Sequence, residues 1–151
     1  MIIEILQLLT SLVLGLLVGS LLTEAMILVP YWRTMDAKEF LRLHHTMGPQ
    51  LYKYFAPLTI LATVIPVVSA IVSVIFQEDT DWLSIIPAVI VLLMLILYFL
   101  YFKGANNKFA TSSMSSDDLS AELTKWAQWH WLRVMIGIVA FIVSLLRDGL
   151  I

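Results

Sequence analysis

Cysteine is absent from the 151 residues, so the chain has no disulfide, no thiolate metal site, no iron–sulfur cluster and no cysteine nucleophile. Charge is scarce as well. Only 13% of the residues are Asp, Glu, Lys or Arg, nine basic against eleven acidic, for a formal net charge of −2. Scattered charge of that kind gives no basic footprint, and no nucleic-acid partner is expected. There is no internal repeat and no low-complexity segment.

What remains is apolar. Hydrophobic residues make up 60% of the chain and the mean hydropathy is +0.92, well above a soluble domain's near-even balance. A bilayer-spanning helix needs about 20 such residues. Four stretches qualify: Ile5 to Val29, Leu51 to Phe76, Leu83 to Phe102 and Trp126 to Leu146. The expected fold is therefore all-α, a single integral membrane four-helix bundle over residues 1–151 with helices near 3–30, 50–76, 83–103 and 117–147 and the lipid bilayer as its partner. Helix 1 is read as retained rather than as a signal peptide, because Glu4 precedes it without Lys or Arg and its apolar run is too long.

Arg33, Lys38, Arg42 and Lys53 lie in or beside the first connection, and Lys103, Lys108 and Lys125 flank the third. By the positive-inside bias those two connections face the cytoplasm; both termini and the Glu78, Asp79, Asp81 turn face outward. A reporter fused to either terminus is expected outside. Residues 36–47 have helical periodicity, with Phe40, Leu43 and Met47 on one face and Lys38, Glu39, Arg42 and Thr46 on the other. They form either an amphipathic helix at the interface or an extension of helix 2 kinked at Gly48 and Pro49. Ser115 with Asp118 resembles a capping box, so helix 4 starts before the membrane.

Glu24 is the residue such a chain must account for, since an ionisable group at membrane depth needs a partner or a wet cavity. It precedes Pro30 by six residues, or about 9 Å of helix. Counting in from Lys125 on helix 4 puts His130 and Arg133 roughly 7 to 12 Å deep from the same side. The depths coincide. Trp126, His130, Arg133 and Gly137 follow i, i+4, i+7, i+11 and make one stripe, with Gly137 leaving room for a close neighbour or a ligand. Helical phase turns His44 toward the apolar face with Phe40, and leaves His45 at the border. Asn106 and Asn107 leave helix 3 on the same side. Candidate catalytic residues are thus His130, Arg133 and Glu24; candidate substrate contacts are Trp126, His44, Asn106 and Asn107.

Each of these has a plainer reading. Glu24 and Arg133 can be a structural ion pair, and His44 and His45 ordinary interfacial residues. Trp129 and Trp131 fit an aromatic belt, Asn106 and Asn107 a helix end, and the methionines gap-filling. Gly15 and Gly19 form a GxxxG pair that serves helix packing or a homo-oligomer. Co-location at one depth favours the functional reading for Glu24, His130 and Arg133.

Several stretches carry a family resemblance: Glu24-Ala-Met-Ile-Leu-Val-Pro30, Phe40-Leu-Arg-Leu-His44-His-Thr-Met-Gly48-Pro49, Phe55-Ala-Pro57-Leu, Asn106-Asn107, and above all Trp126-Ala-Gln-Trp129-His130-Trp-Leu-Arg133. The chain resembles the small four-helix membrane proteins that include anthrone oxygenases. The resemblance spans nearly the whole chain. It implies a four-helix bundle in a bacterial inner membrane and oxidation of a lipophilic aromatic or phenolic small molecule by O₂. On that reading His130, with an ordinary pKa of about 6.5, is the base. Arg133 stabilises the enolate or peroxide, Glu24 orients the imidazole or takes over the proton, and Trp126 stacks on the ring. No cofactor is required. A variant places one iron or copper ion on Glu24, His44 and His130, with His45 as the substitute for His44, because two imidazoles and a carboxylate suit such metals. The rival expectations are a proton-linked binding or transport protein and a structural membrane subunit.

Overall fold

In the computed structural model, which describes residues 1–76, 82–111, 114–147 and 149, four long helices carry the fold: α1 (Ile2–Trp32), α2 (Ala37–Phe76), α3 (Trp82–Ala110) and α4 (Ser116–Arg147). All four are long and apolar enough to cross a membrane, and the described residues include no strand. The protein is an all-α, multi-pass membrane bundle. The Glu78, Asp79, Asp81 turn and Asp148 lie outside the described residues.

The helices form a ring in chain order: α1 packs on α2 and α4, and α3 packs on the same two. At 1.5 Å per residue the 40 residues of α2 extend about 60 Å, against a hydrocarbon core of about 30 Å. A good part of α2 must stand above the lipid. That part is the segment 37–50, which is continuous with the second span rather than a separate interfacial helix. Asp36 caps it, its Oδ1 accepting the Glu39 amide at 2.9 Å, and the helix runs on through Pro49, Pro57 and Pro66. The inward face of the segment is Phe40 and Leu41, with Leu43 and Leu51 packed beside them; Met47 is exposed.

Helix α3 continues to Ala110, past the expected end near residue 103, so Asn106 and Asn107 lie within the helix. Gly104 and two asparagines are poor helix formers, but Ala105 and Phe109 are buried there against Phe40, Leu119 and Leu123. Burial of those side chains outweighs propensity. The expected cap of α4 forms: the Asp118 amide donates to Ser115 Oγ at 3.2 Å and the Ser115 hydroxyl donates to Asp118 Oδ2 at 2.6 Å.

Among the described residues three buried apolar clusters follow one another along the bundle. One, around Trp32, Phe40, Phe102, Phe109 and Trp126, fills the end that carries the α1–α2 and α3–α4 connections, called the loop end below. A second, around Leu17, Leu21, Ala62, Met94 and Val134, fills the middle, and a third comprises Leu14, Val91 and Ala140. Glycines allow the α1–α4 seam to close. A Cβ on Gly15 would meet Phe141 at 3.1 Å, and one on Gly137 would meet Val18 Cγ2 at 3.2 Å and Met94 Cε at 3.5 Å. Gly15 is therefore spent within the bundle, whereas Gly19 faces open space, so the two glycines do not share one seam. Gly137→Leu is expected to overpack the seam and lower stability by about 1–3 kcal/mol, read from unfolding in mixed detergent micelles by circular dichroism.

Candidate functional site

Glu24 enters the loop-end half of the bundle on an unusual piece of backbone. Residues Glu24–Leu28 form one π-helical turn within α1, closed by the Val29 amide donating to the Glu24 carbonyl. Pro30 follows and has no amide to offer. A second π turn, Tyr98–Phe102, interrupts α3 and is closed by the Lys103 amide on the Tyr98 carbonyl. Isolated π turns of this kind are rare and concentrate at functional sites. Both border the same cluster.

At the centre of that cluster is His130, which has no exposed surface. Its Nε2 lies 2.9 Å from the Leu21 carbonyl oxygen, and a carbonyl only accepts, so Nε2 carries the proton. Its Nδ1 lies 2.9 Å from Arg133 Nη2. Arginine only donates, so Nδ1 presents its lone pair. The imidazole is thus held neutral in one tautomer with both nitrogens occupied. Above it Trp126 stacks at 4.8 Å and 15°, held in turn by the indole N–H donating to Asn106 Oδ1 at 3.0 Å.

The Glu24 carboxylate completes the cluster. Its Oε2 lies 3.6 Å from Arg133 Nη2 and 3.7 Å from His130 Nε2, and its side chain is only 7% exposed. Arg133 has two further features. Its guanidinium carbon sits 4.3 Å above the centre of the Phe102 ring, a cation–π contact. Its Nε is buried with no hydrogen-bond partner. The ring of Phe102, itself fully buried, also meets Trp126 and His130 edge-on at 5.4 and 6.5 Å.

The structure therefore brings Glu24, His130, Arg133, Trp126 and Asn106 together. His44 is turned inward but goes elsewhere: its ring lies between Phe40 at 5.8 Å and Phe109 at 5.4 Å. From it the aromatic contacts run through Phe40, Trp32 and Trp126 before they reach His130. His45 and Asn107 are exposed. Among the described residues no three His, Cys, Asp or Glu side chains are grouped as metal ligands. The trio Glu24, His44 and His130 does not fit a metal ion, and neither does the trio with His45. The Arg133 donor on His130 Nδ1 occupies the one lone pair that imidazole has to give.

Phe102 is the member of the cluster that sequence reasoning missed. Asn106 is present in a different role, as the acceptor that fixes Trp126. Asn106→Leu is expected to leave a buried indole N–H without a partner and to cost about 1–3 kcal/mol, accompanied by a shift of tryptophan emission. Trp129 stacks on Tyr101 at 5.5 Å, and the Tyr101 hydroxyl donates to Glu122 at 3.0 Å, which Lys108 also reaches at 3.2 Å. That second polar group ties α3 to α4 above the site. No protein-family model, curated protein or solved structure matches the chain.

Proposed function

We propose that the protein is a membrane-embedded oxidoreductase, similar to the anthrone oxygenases, that oxidises a lipophilic, enolisable aromatic with O₂ beside Glu24 and Arg133. The observation that carries this reading is a carboxylate and a guanidinium 3.6 Å apart between α1 and α4, with the guanidinium Nε a buried donor without a hydrogen-bond partner. A structural pair has no need of a spare donor; a site that must stabilise an oxyanion does.

In the reaction the CH₂ that lies across the central ring from the ketone, conjugated to it through the aromatic rings, loses a proton to Glu24, leaving an extended enolate whose oxygen Arg133 holds. The enolate adds O₂ at carbon, Glu24 returns its proton to the peroxide anion, and the hydroperoxide loses water. The net change is one CH₂ and one O₂ to one C=O and one H₂O. Glu24 serves as base rather than His130, because both imidazole nitrogens are engaged. His130 then positions Arg133, and Trp126 holds the imidazole in place by stacking on it. None of these steps calls on a metal.

The test is O₂ uptake by protein purified in mild detergent, offered a series of tricyclic enolisable ketones. Quinone formation at one O₂ consumed per product is the expected result; no uptake with any member of the series rejects the reading. One observation favours a second reading, a structural clasp: His130 is wholly sealed from the surface. On that view Glu24 and Arg133 only hold α1 to α4, and the double substitution described in the Discussion changes stability and nothing else.

A further inference from the structure

A carboxylate only 7% exposed inside the bundle needs a way in for its reactant, and the two π-helical turns stand at the height of the site on either side of α4. Helix α4 is flanked in the ring by α1 and α3, and each of these is interrupted where it passes the cluster. The first π turn begins with Glu24 itself and the second ends with Phe102, the ring beneath Arg133. Each turn also reaches the outer surface: Met26 and Ile27 in one, Phe99 and Leu100 in the other, are exposed on the lipid-facing side. In both turns the residues that line the site and the residues that meet lipid are neighbours in one loose coil.

A π turn holds one residue more than the α-helix around it and closes on longer, poorer hydrogen-bonded rings. It can tighten or pass its extra residue along without moving the helix on either side. Such a turn gives way locally while the rest of the span, packed through Leu14, Leu17 and Leu21, stays in place. We propose that the two π turns form a lateral gate, through which a small apolar reactant passes from the lipid to the Glu24 carboxylate. The gate is an attribute of the same site as the proposed oxidation and rests on that reading for its purpose only. The experiment uses no turnover, so each can fail without the other.

The probe is dicyclohexylcarbodiimide, a lipid-soluble reagent that adds to buried carboxyl groups, applied to the full chain in lipid vesicles and mapped by mass spectrometry. Glu24 is expected to be modified, and faster than by a water-soluble carbodiimide. Deletion of Ile27, or of Leu100, removes one residue from a π turn and leaves a regular helix on unchanged flanks. Either deletion is expected to slow modification of Glu24 at least tenfold. Absence of modification in the intact chain, equal rates for the two reagents, or equal rates before and after both deletions would overturn the gate. Should a deletion prevent folding, amide exchange on the intact chain decides. The Val29 and Lys103 amides, which close the π turns, are expected to exchange at least tenfold faster than those of Leu17 and Val91; equal protection rejects the proposal.

Discussion

Arg133→Leu is expected to destabilise the bundle by about 3–5 kcal/mol, the cost of leaving a buried charge without its partner, and Glu24→Gln in the same chain is expected to recover most of that loss. Arg133 makes three contacts at once: the ion pair to Glu24 at 3.6 Å, the hydrogen bond to His130 Nδ1 at 2.9 Å and the face of Phe102 at 4.3 Å. Leucine replaces none of the polar ones. The packing loss is small because the ring of Phe102 accepts an aliphatic neighbour, so the dominant penalty is the isolated carboxylate of Glu24. Making that carboxylate a neutral amide removes the penalty. Glu24→Gln alone is expected to cost less than Arg133→Leu alone, because the guanidinium keeps His130 and Phe102. Unfolding of the four variants in mixed detergent micelles, followed by circular dichroism, gives the coupling energy of the pair. A cost below about 1 kcal/mol for Arg133→Leu, or no recovery by Glu24→Gln, would mean that the two charges do not compensate each other.

That pair is legible in the sequence because depth along a helix is arithmetic. Glu24, His130 and Arg133 are tied to Pro30 and Lys125 by fixed rises per residue, and two spans entering from one side must match in height. The same count places Phe102, the last apolar residue before Lys103, at this level. Nothing local marks it out, because it reads as one more ring in Tyr98-Phe-Leu-Tyr-Phe102. His44 is harder for a different reason. Helical phase turns it inward, as found, but how far it stands from His130 depends on the unbroken run of α2 through Pro49 and on where Phe40 and Phe109 fill the gap between helices. Neither is written in the local pattern. The π turns are barely marked in the residues. Pro30, lacking an amide one turn past Met26, is the only local hint of the first, and the second has none. Asn106 lies at the loop end, where its position after Phe102 puts it, but its bond to Trp126 depends on the register between α3 and α4, which only tertiary packing sets.

Glu24→Gln is expected to lower turnover about 10²–10⁴-fold, the usual contribution of a positioned general base, with little change in substrate affinity. Glutamine keeps the shape of the side chain and an oxygen facing Arg133, but it takes up no proton. The loss should therefore fall on the rate of the chemical step. His130→Gln provides the contrast. The amide it introduces can still donate to the Leu21 carbonyl and accept from Arg133, the two bonds the imidazole makes, so a positioning role is largely preserved and the loss is expected to stay about tenfold, well below that of removing a general base. If His130 were instead the base, the order would reverse, with His130→Gln the more damaging of the two and the pH profile of turnover losing its imidazole limb. Steady-state O₂ uptake by the two variants across the range about pH 5 to 8 in which an ordinary imidazole titrates separates the assignments. The fixed tautomer of His130, clasped between a carbonyl and a guanidinium, is the physical reason to expect the proton to travel through the carboxylate.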